Sequence, residues 1–106
     1  MEERKILVAK TTEVAPDQMK RFKLGFRNAL VVNSGGAFKA YYEFCTHQGG
    51  QLKMVNGQFQ CLRHFSTFNL NTGERLAGEA PEGSKLGEIP LEIRGEEIFA
   101  TWIIND

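Results

Sequence analysis

Both cysteines and both histidines of this 106-residue chain lie between positions 45 and 64. They form two mixed pairs, Cys45-Thr46-His47 and Cys61-Leu62-Arg63-His64, with Asn56-Gly57 between them. Asn-Gly is the strongest short-range hairpin signal, because a type I′ turn needs positive φ at both central residues. With Val55 opposite Gln58, the register runs through Met54–Phe59 and Lys53–Gln60 to Leu52–Cys61. Carried outward, it sets His64 opposite Gly49. A fold that contains this hairpin must bring the second Cys/His pair back beside the first. Two loops, each offering one sulfur and one imidazole, then converge.

The remainder reads as all-β. Arg4–Lys10 alternates polar residues with Ile6 and Val8, and Met19–Leu24 divides Met19, Arg21 and Lys23 from Lys20, Phe22 and Leu24. Ala29–Asn33 follows a turn at Gly25–Asn28. Ser34-Gly35-Gly36-Ala37 reads as a two-residue hairpin loop leading into the aromatic-rich strand Phe38–Phe44. A last hairpin turns at Arg94-Gly95-Glu96-Glu97 and joins Leu91–Arg94 to Glu97–Ile103, with Ile98, Ala100 and Trp102 on one face. No stretch sustains a helical apolar period. Gly78–Gly87, rich in Gly, Glu and Pro, reads as an irregular loop. The expected architecture is a single domain over residues 1–106, with small antiparallel sheets closed into a sandwich or partial barrel.

Charge narrows the function. Thirteen basic residues balance thirteen acidic ones, and no basic cluster stands out, so a nucleic-acid partner is not expected. Lys20, Arg21, Lys23 and Arg27 read as the wet face of a sheet. No apolar run approaches the ~20 residues of a membrane span, and the charged Met1–Arg4 does not resemble a signal peptide. No membrane partner and a cytoplasmic location are the expectations. A Cys45–Cys61 disulfide would need an oxidising compartment that nothing else in the chain supports.

Two thiolates and two imidazoles suit zinc or an iron–sulfur centre. Zinc fingers group Cys with Cys and His with His, whereas here each loop is mixed with Cys first. A two-iron cluster with two Cys on one iron and two His on the other matches one of each from two facing loops.

On these residues the chain resembles the Rieske 2Fe–2S ferredoxins, from about Arg4 to Ile103. Cys45-Thr46-His47-Gln48-Gly49-Gly50-Gln51-Leu52 is similar to the family's C-x-H-x-G-x-x-L box. Cys61-Leu62-Arg63-His64 with Phe68 is similar to its C-x-x-H-x-x-x-F box. Asn71-Thr72-Gly73-Glu74 resembles the family's TG turn, and Gly78-Glu79-Ala80-Pro81 its proline loop. The resemblance implies a Rieske-like fold with an inserted cluster-binding hairpin over residues 44–69. It implies one 2Fe–2S cluster per chain, ligated by Cys45, His47, Cys61 and His64, with Ser66, Phe68 and Pro81 around it. It further implies an electron carrier rather than a catalyst, working between a reductase and a terminal oxygenase or reductase.

Three departures individualise the chain. The insert Gln48–Gln60 is short, Phe65 stands where the family usually has Gly, and Leu62 and Arg63 replace the frequent Pro and aromatic or Cys. Quinol-oxidising Rieske subunits carry an extra Cys in each box, joined as a disulfide; this chain has Gly50 and Arg63 there. Of the features that raise the family's reduction potential, Ser66 occupies the Ser position, Phe68 replaces the Tyr, and the disulfide is missing. A value in the lower to middle part of the Rieske range, about −150 to +300 mV, is expected. Two rival readings are a structural zinc module and a small accessory subunit like that of nitrite reductase. Packing is the simpler role for Phe68, Met54 and Trp102.

Overall fold

The computed structural model describes residues 2–43, 52–62, 65–78 and 83–104. Among these described residues, eleven strands form three antiparallel sheets. In the first, β1 (Glu2–Lys10), β11 (Glu97–Ile104) and β10 (Leu91–Arg94) lie in the order β1-β11-β10. In the second, β2 (Met19–Leu24), β3 (Arg27–Ser34), β4 (Ala37–Tyr42) and β9 (Glu88–Ile89) lie in the order β2-β3-β4-β9. The third is a meander of β5 (Leu52–Val55), β6 (Gln58–Cys61), β7 (Thr67–Asn69) and β8 (Arg75–Ala77). The all-β expectation holds, and the called strands recur with ends shifted by a few residues. Phe44, the expected end of β4, lies outside the described residues.

The second sheet is the middle of the molecule, and β3 shows why. Ala29, Leu30, Val31 and Val32 are all fully buried. Successive side chains of a strand point to opposite faces, so an unbroken apolar run marks a strand covered on both sides. Leu30 and Val32 join Tyr41, Leu52, Phe59, Phe68 and Leu86 in one core cluster, against the third sheet. Ala29 and Val31 join Leu24, Ala40, Ile98 and Ala100 in the other, against the first sheet. Burying each large side chain fully contributes about 1.5–3 kcal/mol, so both outer sheets are held chiefly by what they cover on the middle one.

Local devices set the joins. A bulge between Leu7 and Ala9 leaves Val8 without a partner on β11, so neighbouring Val8 and Ala9 both reach the core. Pro90 stands between β9 and β10, where the chain passes from the middle sheet to the first. Proline has no N–H to extend a ladder, but its carbonyl accepts from Thr101 N–H at 3.0 Å. Ser34 pairs with Ala37, so Gly35-Gly36 is the two-residue loop that the sequence indicates. Asn33 braces it, accepting from Gly36 N–H at 2.8 Å and donating to the Val14 carbonyl at 2.9 Å.

Candidate metal centre

The hairpin forms in the expected register: Leu52↔Cys61, Lys53↔Gln60, Met54↔Phe59 and Val55↔Gln58. Asn56 and Gly57 take φ of 51° and 75°, as the two-residue turn requires. Cys61 ends β6 fully buried, in the same core cluster as Tyr41, Phe59 and Phe68. Cys45, His47, His64 and Pro81 lie outside the described residues, as does the His64–Gly49 juxtaposition. Phe68 is fully buried, as its packing role predicts, and Met54 packs against the same cluster.

After Cys61 the chain turns back on itself. Phe65 N–H donates to the Cys61 carbonyl at 2.9 Å, and Cys61 N–H donates to the Ser66 carbonyl at 2.8 Å. These two bonds join the backbone on either side of positions 62–64. Phe65 completes the reversal at φ 60°, in the left-handed region, which accounts for glycine at this place in the resembled family. The ring gains little burial there, being 62% exposed. Ser66 is fully buried, and Gly78 lies directly on it. A Cβ on Gly78 would stand 2.5 Å from Ser66 Cα and 2.8 Å from Ser66 Oγ. Gly78 is thereby pressed onto the turn that follows Cys61.

Two further contacts tie this region to the middle sheet. Tyr41 on β4 donates its hydroxyl to the Leu70 carbonyl at 2.9 Å and meets Phe59 edge to face, with ring centroids 5.7 Å apart. Burial, reinforced by the Glu88 charge, pushes the Tyr41 hydroxyl up to about 12. The turn after Leu70 is organised by Asn69 Oδ1, which accepts from Asn71 and Thr72 N–H. Gly73 follows at φ 77°, in contact range of Tyr41. This is the TG turn of the resemblance.

The other tie was not legible in the sequence. Arg21 and Lys20 read there as wet-face residues, but Arg21 Nε donates to both oxygens of Glu43, at 3.1 and 2.8 Å. Its Nη2 donates to the Leu52 carbonyl, and Leu52 N–H donates to Glu43 Oε2 at 3.1 Å. The Glu43 side chain is only 1% exposed. Glu43 and Leu52 are the described residues on either side of positions 44–51. Lys20 pairs with Glu13 at 3.2 Å, and the Arg27 guanidinium lies 3.6 Å from the Tyr42 ring centroid. Arg21, Lys23 and Arg27 are exposed and Lys20 half-buried, in keeping with the wet-face reading, which did not supply the partners of Lys20, Arg21 and Arg27. The one available signal was an acidic residue two positions before Cys45.

The donor set fits a two-iron cluster: Cys61 sits buried at a hairpin end, in a loop closed by its own backbone, with an imidazole three residues on. Fold and donor chemistry define a small β domain with a Cys/His hairpin for a metal centre. The chain belongs to the Rieske [2Fe-2S] domain family, whose model matches residues 4–90, and one 2Fe–2S cluster is the cofactor that membership implies. It is 32% identical over 96 residues to the cytochrome b6-f complex iron-sulfur subunit of Chlorobaculum thiosulfatiphilum, covering 89% of this chain and 51% of that one. It thus spans about half the length of that relative. It is 27% identical over 95 residues to the ferredoxin component of biphenyl 2,3-dioxygenase from Rhodococcus jostii (strain RHA1), covering 87% of each. Among solved structures, the ferredoxin of carbazole 1,9a-dioxygenase from Nocardioides aromaticivorans IC177 superposes with a TM-score of 0.77 at 20% identity. That match covers 91% of this chain and 95% of that ferredoxin, and it identifies the fold.

Proposed function

We propose that this protein is a one-electron carrier, a Rieske ferredoxin that accepts electrons from a reductase and delivers them to a terminal oxygenase or reductase. The observation that carries this reading is the match to a dioxygenase ferredoxin component over 87% of both chains. Gly50 and Arg63, in place of the paired extra cysteines, support the ferredoxin type over the quinol-oxidising type. Cys45, His47, Cys61 and His64 are the four ligands in this reading. The cluster supplies a one-electron couple, raised relative to all-Cys ferredoxins because two neutral imidazoles replace two thiolates. The chain's own part is to hold those donors. The β5–β6 hairpin carries Cys61 at its end, and Gly78 packs onto Ser66 close by. Among the described residues no helix is long and apolar enough to cross a membrane, and a cytoplasmic location fits the ferredoxin reading.

Electron paramagnetic resonance of the dithionite-reduced protein tests the assignment. A signal with the low average g-value of mixed His/Cys ligation is expected; a colourless, silent, zinc-containing protein would overturn it. His64→Ala should lose the cluster spectrum, and an unchanged spectrum in that variant removes His64 from the ligand set.

A further inference from the structure

We infer that Arg21 and Glu43 are positioning residues that close the first ligand loop at its neck. The inference rests on the ligand reading above, in which residues 44–51 carry Cys45 and His47. Glu43 and Leu52 flank that segment, and one carboxylate joins them: Glu43 Oε2 accepts Leu52 N–H at 3.1 Å and Arg21 Nε at 2.8 Å. Arg21 completes the ring by donating Nη2 to the Leu52 carbonyl. Arg21 stands on β2, which among the described residues pairs only with β3. The clamp therefore fastens both ends of the loop to the edge of the middle sheet. Glu43 is held from behind as well, its N–H donating to the Asn28 carbonyl at 2.9 Å.

A surface ion pair would carry little argument, since such pairs stabilise weakly. This one differs in its acidic partner, whose side chain is 1% exposed. A carboxylate taken out of water is costly unless paired and hydrogen-bonded. A hydrophobic pair of similar size would commonly stabilise a fold at least as well. What apolar residues cannot do is accept the Leu52 N–H, donate to the Leu52 carbonyl and so set the distance between positions 43 and 52. Closing the neck in advance removes part of the loop-ordering cost that cluster binding would otherwise meet. Partners that orient metal ligands without touching the metal act in this way.

The experiment follows cluster loss to an iron chelator by visible absorbance, using the holo-protein. Glu43→Ala should release the cluster about ten-fold or more faster than the parent, the usual scale for losing a residue that orients ligands. Glu43→Gln keeps an acceptor for Leu52 N–H and should fall between the two. Asn33→Ala is the control: it removes the bonds to Val14 and Gly36, loosening the middle sheet away from the loop. If Glu43→Ala and Asn33→Ala, compared at equal loss of melting temperature, release the cluster equally fast, the clamp is an ordinary staple and the inference fails. Should Glu43→Ala not fold, Arg21→Lys decides. It keeps the charge but loses the planar fork, and release at the parental rate overturns the inference. His64→Ala runs in parallel. Loss of its spectrum together with parental release from the clamp variants refutes the clamp alone, whereas retention of its spectrum refutes the ligand set.

Discussion

Tyr41→Phe tests the join between the middle sheet and the sheet that carries Cys61. The substitution keeps the ring, and with it the edge contact to Phe59, but removes the hydroxyl that donates to the Leu70 carbonyl at 2.9 Å. Tyr41 is fully buried and Leu70 is 5% exposed, so water replaces the donor poorly. Leaving a buried acceptor without its donor costs about 1–3 kcal/mol. The Phe variant also avoids burying a hydroxyl, so about 1–2 kcal/mol is the expected net loss. For a domain of this size that lowers the melting temperature by roughly 4–16 °C. In urea, with m of about 1.5 kcal/mol/M, the midpoint falls by about 1 M. The pH dependence is a second signature. The folded Tyr41 titrates at about 12, against an ordinary value of 10.0. Between those values the unfolded chain has released a proton that the native state retains. This contribution to stability is therefore complete below pH 10 and is lost as pH rises toward 12. Urea denaturation at neutral pH and at several alkaline pH values measures both effects. The parent should show the alkaline decline and Tyr41→Phe a shallower one. An unchanged midpoint at neutral pH, together with parallel pH curves, would refute the reasoning.

Gly78→Ala places a methyl group 2.5 Å from Ser66 Cα at φ 103°; strain and overpacking together should cost about 2–4 kcal/mol, read by chemical denaturation, with faster cluster loss as the accompanying sign. Phe65→Gly relieves a left-handed backbone at a position 62% exposed, so stability should stay level or rise by up to about 1 kcal/mol despite the more flexible unfolded chain; a clear drop in melting temperature would show that the ring supports the loop. Phe68→Tyr puts a hydroxyl into the apolar cluster that contains Cys61; voltammetry should show a raised reduction potential, as Ser66→Ala should show a lowered one, and no movement in either would remove these side chains from the cluster's surroundings.

How far the sequence could be read depends on how local each cause is. The hairpin register was legible because Asn56-Gly57 sets it and side-chain parity carries it outward to Leu52–Cys61. The two mixed Cys/His motifs stand out in the sequence because scarce residue types fall at matched spacing. Strand alternation in Met19–Leu24 and Glu97–Ile103 likewise needs only near neighbours. The strands β7, β8 and β9 escaped notice because two or three residues cannot display a period. Residues 29–32 read as a strand, but its place at the centre of three sheets depends on what covers each face. The close seat of Gly78 on Ser66 depends on two segments meeting edge to edge. Arg21 and Glu43 are 22 positions apart, and a charged residue on an alternating strand carries no mark of whether its far end meets water or a buried carboxylate. Turn chemistry and donor spacing are properties of consecutive residues, and the amino-acid order alone determines them. Partners across sheets are chosen only when the chain packs, because burial and distance then decide which charges and hydrogen-bonding groups must satisfy one another.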